Sequence, residues 1–100
     1  MPANSPLQTR IKGKQSIDAA AQELAWAENV PLGRIDWQPD PELELQGVPA
    51  DKYLLTLMTD AGEAQGQLSA ALVERAPDGR DGELKQILDR LVADLRRQRH

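Results

Sequence analysis

Four carboxylates between residues 36 and 44 are the densest group of side chains that could do chemistry. They are Asp36, Asp40, Glu42 and Glu44. Such a group could bind a hard cation through its oxygens, or could act as acid and base if burial raised a pKa. The spacing does not follow a calcium-loop pattern, and the flanking prolines favour exposure. We therefore interpret these side chains as solvated acids that could attract a basic protein partner.

Chemistry that depends on histidine or cysteine is excluded by composition. The chain has no cysteine, and its single histidine, His100, is the last residue. The cysteine needed for a thiolate nucleophile, a disulfide or a zinc–thiolate site is missing. A serine triad would lack a histidine within the predicted folded part of the chain. A phosphate loop at Gly13-Lys14 is also rejected, because Gln8 and Gln15 occupy positions that need Gly and Ser or Thr. We expect no catalytic residue, cofactor or metal, and hence no enzyme.

Basic side chains lie near the two ends of a chain whose net charge is −4. The candidates for phosphate contacts are Arg10, Lys12 and Lys14 near the start and Arg96 and Arg97 near the end. Neither an aromatic platform nor a nucleic-acid-binding motif accompanies them. Nucleic-acid binding is therefore an alternative interpretation, and not the first one.

Trp26 and Trp37 are further candidates for contact with a partner, because tryptophan is enriched at interface hot spots. The chain has no phenylalanine and one tyrosine, so either tryptophan could instead fill a mainly aliphatic core. Trp37 follows Ile35 in an alternating segment, which favours the core. Trp26 lies opposite Ile17 on a predicted helix, and core and interface remain equal alternatives there. A small aliphatic core also favours a homodimer, which adds buried area.

The central apolar segment decides the fold class. One interpretation is a β-hairpin over 52–74, with a turn at Asp60-Ala61-Gly62 and a return strand that carries Leu72. The other is one long helix over 51–76, whose two interior glycines would each cost about 1 kcal/mol relative to alanine. We favour the hairpin, because the turn residues suit it.

Two helices and two short strands complete the predicted fold. Ser16 is a suitable N-cap for a helix over 16–29, and a strong apolar stripe predicts a second helix over 83–98. Between prolines, residues 34–37 and 42–45 alternate as edge strands do. The fold class is therefore α+β, a small antiparallel sheet packed by an N-terminal and a C-terminal helix. The alternative is an all-α bundle built around the long helix.

The predicted organisation is a flexible N-terminal arm over 1–15 and a single globular domain over 16–98. No apolar run reaches the length of about 18 residues that a membrane span needs, and the start lacks the apolar core of a secretory signal. We expect a cytoplasmic protein without membrane contact. Its predicted function is a non-enzymatic protein-interaction or regulatory module. The alternatives are a nucleic-acid-associated accessory protein and an acidic inhibitor, of the antitoxin or immunity type, of a basic partner.

Overall fold

A computed structural model describes residues 6–41, 51–78 and 82–98. The elements in chain order are α1 (Pro6–Ala27), β1 (Arg34–Gln38), β2 (Lys52–Thr59), β3 (Gly62–Ser69), α2 (Ala70–Arg75), a 3-10 turn (Ala76–Asp78) and α3 (Gly82–Gln98). The strands form one antiparallel sheet in the order β1-β2-β3. The α+β prediction is confirmed, and the alternative of a long helix over 51–76 is wrong.

The hydrophobic core lies against one face of the sheet. Side chains on a strand alternate between the two faces, so residues paired across strands share a face. Leu55 is the centre of this face, because it pairs with Trp37 on one side and with Gly66 on the other. Tyr53 and Leu57 lie next along β2, and both are buried. All three helices take part in the same continuous core.

The hairpin turns more tightly than predicted. Thr59 pairs directly with Gly62, which leaves only Asp60 and Ala61 in the loop. Thr59 Oγ1 accepts a hydrogen bond from the amide of Ala61 at 3.1 Å and donates one to the carbonyl of Gly62 at 3.3 Å. Gly62, which was predicted to lie in the turn, therefore begins β3.

The return strand is shorter than the sequence predicted. It ends at Ser69, and the chain passes without a loop into α2. The side chain of Ser69 accepts a hydrogen bond from the amide of Leu72 at 3.1 Å, which caps the new helix. The prediction that Leu72 lies on the return strand is wrong. Leu72 is buried from α2 instead, beside Val73.

Helix α3 agrees with the predicted helix over 83–98. Its buried side chains are Leu84, Leu88, Leu91, Val92 and Leu95. The helix packs over β3 at Gly66, where a Cβ atom would lie 3.4 Å from side-chain atoms of Ile87 and Leu91. The glycine that argued against a long helix thus lets α3 approach the sheet closely.

Helix α1 begins at Pro6, and the predicted start at Ser16 is wrong. Residues 6–15, which the sequence assigned to an arm outside the domain, form the first half of α1. Proline suits the first helical turn, because its missing amide donor has no partner there in any case. The buried side of this half carries Arg10 and Gly13. Tertiary contacts therefore extend the helix past a good local N-cap.

The segment after α1 agrees better with the sequence. The helix ends at Ala27, two residues before the predicted end, and Asn29 adopts the left-handed conformation expected of it, with φ 60°. The predicted edge strand over 34–37 is confirmed as β1. The second predicted edge strand, over 42–45, lies outside the described residues, as does His100.

Candidate protein-interaction surface

Arg10 is the centre of a buried ionic cluster between α1, β2 and α2. Its Nη1 donates to Tyr53 Oη at 3.2 Å, its Nε donates to Glu74 Oε2 at 3.3 Å, and its guanidinium lies 5.9 Å from the centre of the Tyr53 ring. Burial opposes the charge, but the hydrogen bonds and Coulombic attraction of Tyr53 and Glu74 outweigh it and raise the pKa of Arg10 above its ordinary value. The side chain is only 9% exposed, so this cation is an internal one.

Two further polar contacts join α1 to β1 and to the chain after it. Lys14 Nζ lies 3.0 Å from Asp40 Oδ1, and Trp37 Nε1 donates to Asp18 Oδ1 at 2.8 Å. Trp37 is 5% exposed and meets Tyr53 edge to face, with the ring centres 6.0 Å apart. These contacts hold α1 against β1 and the chain after it. They also place Trp37 in the core, where it is not accessible to a partner.

Three of the other charged candidates are paired within the described residues. Arg96 contacts Glu28 at 2.6 Å, and Arg97 contacts Asp94 on the same helix. Asp36 lies 3.6 Å from Arg34, with both side chains exposed. Glu42 and Glu44 lie outside the described residues.

These pairs bear on both alternative functions. Four of the five predicted phosphate-binding cations contact an acidic side chain, and two of the acids proposed to attract a basic partner contact a cation. The nucleic-acid and inhibitor alternatives therefore gain no support from the geometry, and they stay predictions.

Within residues 6–41, 51–78 and 82–98, no three histidine, aspartate or glutamate side chains gather as a metal site would require. The helices of the same ranges are each too short or too polar to cross a membrane.

Of the two tryptophans, Trp26 is the one that the structure leaves accessible. It lies near the end of α1, and it is 84% exposed. The ring borders a groove of about 690 Å³ between α1 and the segment 30–32. We call this the Trp26 groove, and its lining is Ala19, Gln22, Glu23, Ala25, Trp26, Val30, Pro31 and Leu32. A large aromatic side chain beside a mostly apolar groove is the composition of an interface hot spot.

A second groove lies on the other side of α1. It encloses about 710 Å³ between α1, the 3-10 turn and α3, and Ala19 and Glu23 line both grooves. Ala20, Leu24 and Leu88 contribute apolar surface to it. The exposed side of α1 is therefore a ridge with an apolar depression along each flank.

The ridge itself follows a seven-residue period, which the sequence analysis missed. Lys12, Ala19 and Trp26 are each seven residues apart, and Gln15 and Gln22 repeat in the same way. With Glu23 these residues form what we call the outer stripe, and all of its members are exposed. The spacing is that of the contact positions of a helix pair. The signal becomes visible only when the helix is extended back to Pro6.

Comparison of the chain with protein-family models, with curated proteins and with solved structures gives no match.

Proposed function

We propose that this protein is a non-enzymatic protein-interaction module, and that it binds its partner through Trp26 and the outer stripe of α1. One observation carries the proposal, namely that Trp26 is 84% exposed beside an apolar groove. Indole is a large apolar surface to leave in water. The burial of a side chain of this size in an interface contributes about 2 kcal/mol or more.

The charged side chains support the same proposal. Arg10 and Lys14 hold α1 against α2 and the sheet, through Glu74, Tyr53 and Asp40. A rigid helix presents its exposed face to a partner at little entropic cost. The module is proposed to act in the cytoplasm, and a homodimer is the proposed form of the interaction.

The proposal is tested by capture on the immobilised full chain. Wild-type protein, Trp26→Ala and Lys52→Ala are each incubated with lysate of the source cells, and the retained proteins are compared. Trp26→Ala should lose the specific set, because it removes the centre of the surface. Lys52→Ala should retain that set, because Lys52 is an exposed residue at the start of β2 and lies outside the outer stripe.

Because Trp26 makes little contact with the core, circular dichroism should show the same fold for both variants. Equal retention by Trp26→Ala and wild type would overturn the proposed surface.

A further inference from the structure

The outer stripes of two copies are complementary in charge when the two helices run antiparallel. We propose that the partner of the outer stripe is a second copy of this chain, with the two α1 helices antiparallel and crossing at Ala19. This inference rests on the proposed function and names the partner of the same surface. In this register Lys12 of one copy lies opposite Trp26 of the other, and Gln15 lies opposite Glu23.

Charge favours this direction. Lys12 and Glu23 are both exposed, and neither takes part in an ion pair within the described ranges. An antiparallel pair brings each Lys12 within one helical turn of the other copy's Glu23, and places the Lys12 ammonium beside the Trp26 ring. A parallel pair would instead place Lys12 beside Lys12 and Glu23 beside Glu23. Like charges in those positions would destabilise it.

Shape favours the same arrangement. Ala19 is the smallest side chain of the outer stripe and lies at its midpoint, so the helix axes can approach to about 8 Å at the crossing point. The N-terminal half of the second α1 then lies along the Trp26 groove, and Trp26 is covered in both copies at once. A twofold interface requires such a match of one surface with itself.

The polar stripe predicts a dimer that exchanges readily. Helix α1 has 22 residues, a length of about 33 Å. One helix pair of that length buries on the order of 1,000 Å², which is the size of a weak or transient interface. Gln15 and Gln22 at contact positions weaken the pair further, because contact positions of a stable helix pair are apolar.

Sedimentation equilibrium of the full chain, over about three decades of concentration upward from micromolar, tests the dimer. Wild type should pass from monomer to dimer, and Trp26→Ala should raise the dissociation constant by about tenfold or more. Lys52→Glu is the control with the same charge change as Lys12→Glu, and it should leave the dissociation constant unchanged, because Lys52 lies on β2 and outside the stripe.

Charge exchange tests the contact between Lys12 and Glu23. The single variants test its antiparallel direction, because in a parallel pair each of them would only replace one like-charge contact by another. Lys12→Glu alone and Glu23→Lys alone should each weaken self-association, because each creates a pair of like charges across the interface. A mixture of the two variants should form a heterodimer, because the new carboxylate of the first variant then faces the new ammonium of the second. The other contact of that heterodimer joins the native Lys12 to the native Glu23. Within one chain, residues 12 and 23 lie about 16 Å apart along the helix, which is too far for their side chains to pair with each other. The restored pairing must therefore join two chains.

The outcomes separate the two proposals. Wild type that remains a monomer at every concentration, or a mixture that forms no heterodimer, overturns the antiparallel homodimer. If Trp26 is still required for capture from lysate in that case, the proposed function stands with a different partner. If Trp26→Ala changes neither the sedimentation nor the capture, both proposals fail.

Discussion

Gly13 of α1 lies directly against Val73 of α2. A Cβ atom on Gly13 would stand 1.9 Å from the carbonyl oxygen of Val73, which is well inside any allowed contact. The glycine therefore sets how closely the two helices approach. Gly13 lies within residues 6–15, the half of α1 that was not predicted to be helical.

Gly13→Ala should destabilise the protein by about 2 kcal/mol, measured by urea unfolding. Alanine adds about 1 kcal/mol of helix propensity, but the overlap with backbone forces the helices apart and outweighs that gain. Gly82→Ala is the matched control. No atom lies within 4 Å of a Cβ on Gly82, so this variant should be as stable as wild type or more so. A Gly13→Ala protein of undiminished stability would contradict the close approach.

Arg10→Met should lower the free energy of unfolding by about 2–3 kcal/mol, because it removes a nearly buried cation from its hydrogen bonds to Tyr53 and Glu74. Glu74→Gln should cost less, about 1 kcal/mol, because Glu74 is only partly buried and glutamine still accepts a hydrogen bond. Equal losses from the two variants would argue against Arg10 as the centre of the cluster.

The pH dependence of the Arg10 contribution follows from its raised pKa. A cation whose pKa is higher in the folded state stabilises the fold fully below its unfolded pKa, and loses that effect only as the pH rises through the folded value. Arg10 therefore stays charged between neutral pH and about pH 10. Over that range, the difference in unfolding free energy between wild type and Arg10→Met should not decrease because of Arg10. Urea titrations at several pH values measure this. A decline of the difference by about pH 9 would contradict the assignment.

Deletion of residues 2–14 should destabilise the domain by about 3 kcal/mol or more, because it removes the contacts of Arg10, Gly13 and Lys14 together. Thermal unfolding followed by circular dichroism measures the loss. If the first half of α1 were a dispensable arm, the truncated protein would unfold at the same temperature as the full chain.

The two tryptophans should differ strongly in fluorescence at low concentration. Trp37→Phe leaves only Trp26, which should emit like indole in water and be quenched readily by acrylamide. Trp26→Phe leaves only Trp37, which is buried against Tyr53 and hydrogen-bonded to Asp18, so its emission should be blue-shifted and protected. Similar quenching of both would contradict the exposure of Trp26.

Local signals were enough to predict α3, β1 and the hairpin. The apolar stripe of α3 and the alternation of β1 both lie within a few residues of sequence. The same reasoning failed at Ser16, which is a good N-cap but lies in the middle of a helix. What extends the helix is a set of contacts with Tyr53, Val73 and Glu74, and no local pattern reports them.

The candidate site was predicted in part. The sequence indicated Trp26 but could not separate core from interface, because the answer depends on which face of α1 packs against the rest of the fold. It did not indicate that Arg10 and Lys14 pair with Glu74 and Asp40, since isolated cations near a terminus resemble solvated ones. The outer stripe could not be recognised while residues 6–15 were assigned to an arm.

The ionic contact between Arg10 and Glu74 joins residues 64 positions apart in the chain. On the ribosome, α1 is made before α2, so the contacts of Arg10 with Glu74 and of Gly13 with Val73 cannot form until α2 has left the exit tunnel. Pairing across so many residues must overcome a large loop-closure entropy, so docking of α1 should come late in folding. During synthesis the face of the nascent helix that carries Arg10 and Gly13 thus stays available to chaperones until α2 has emerged.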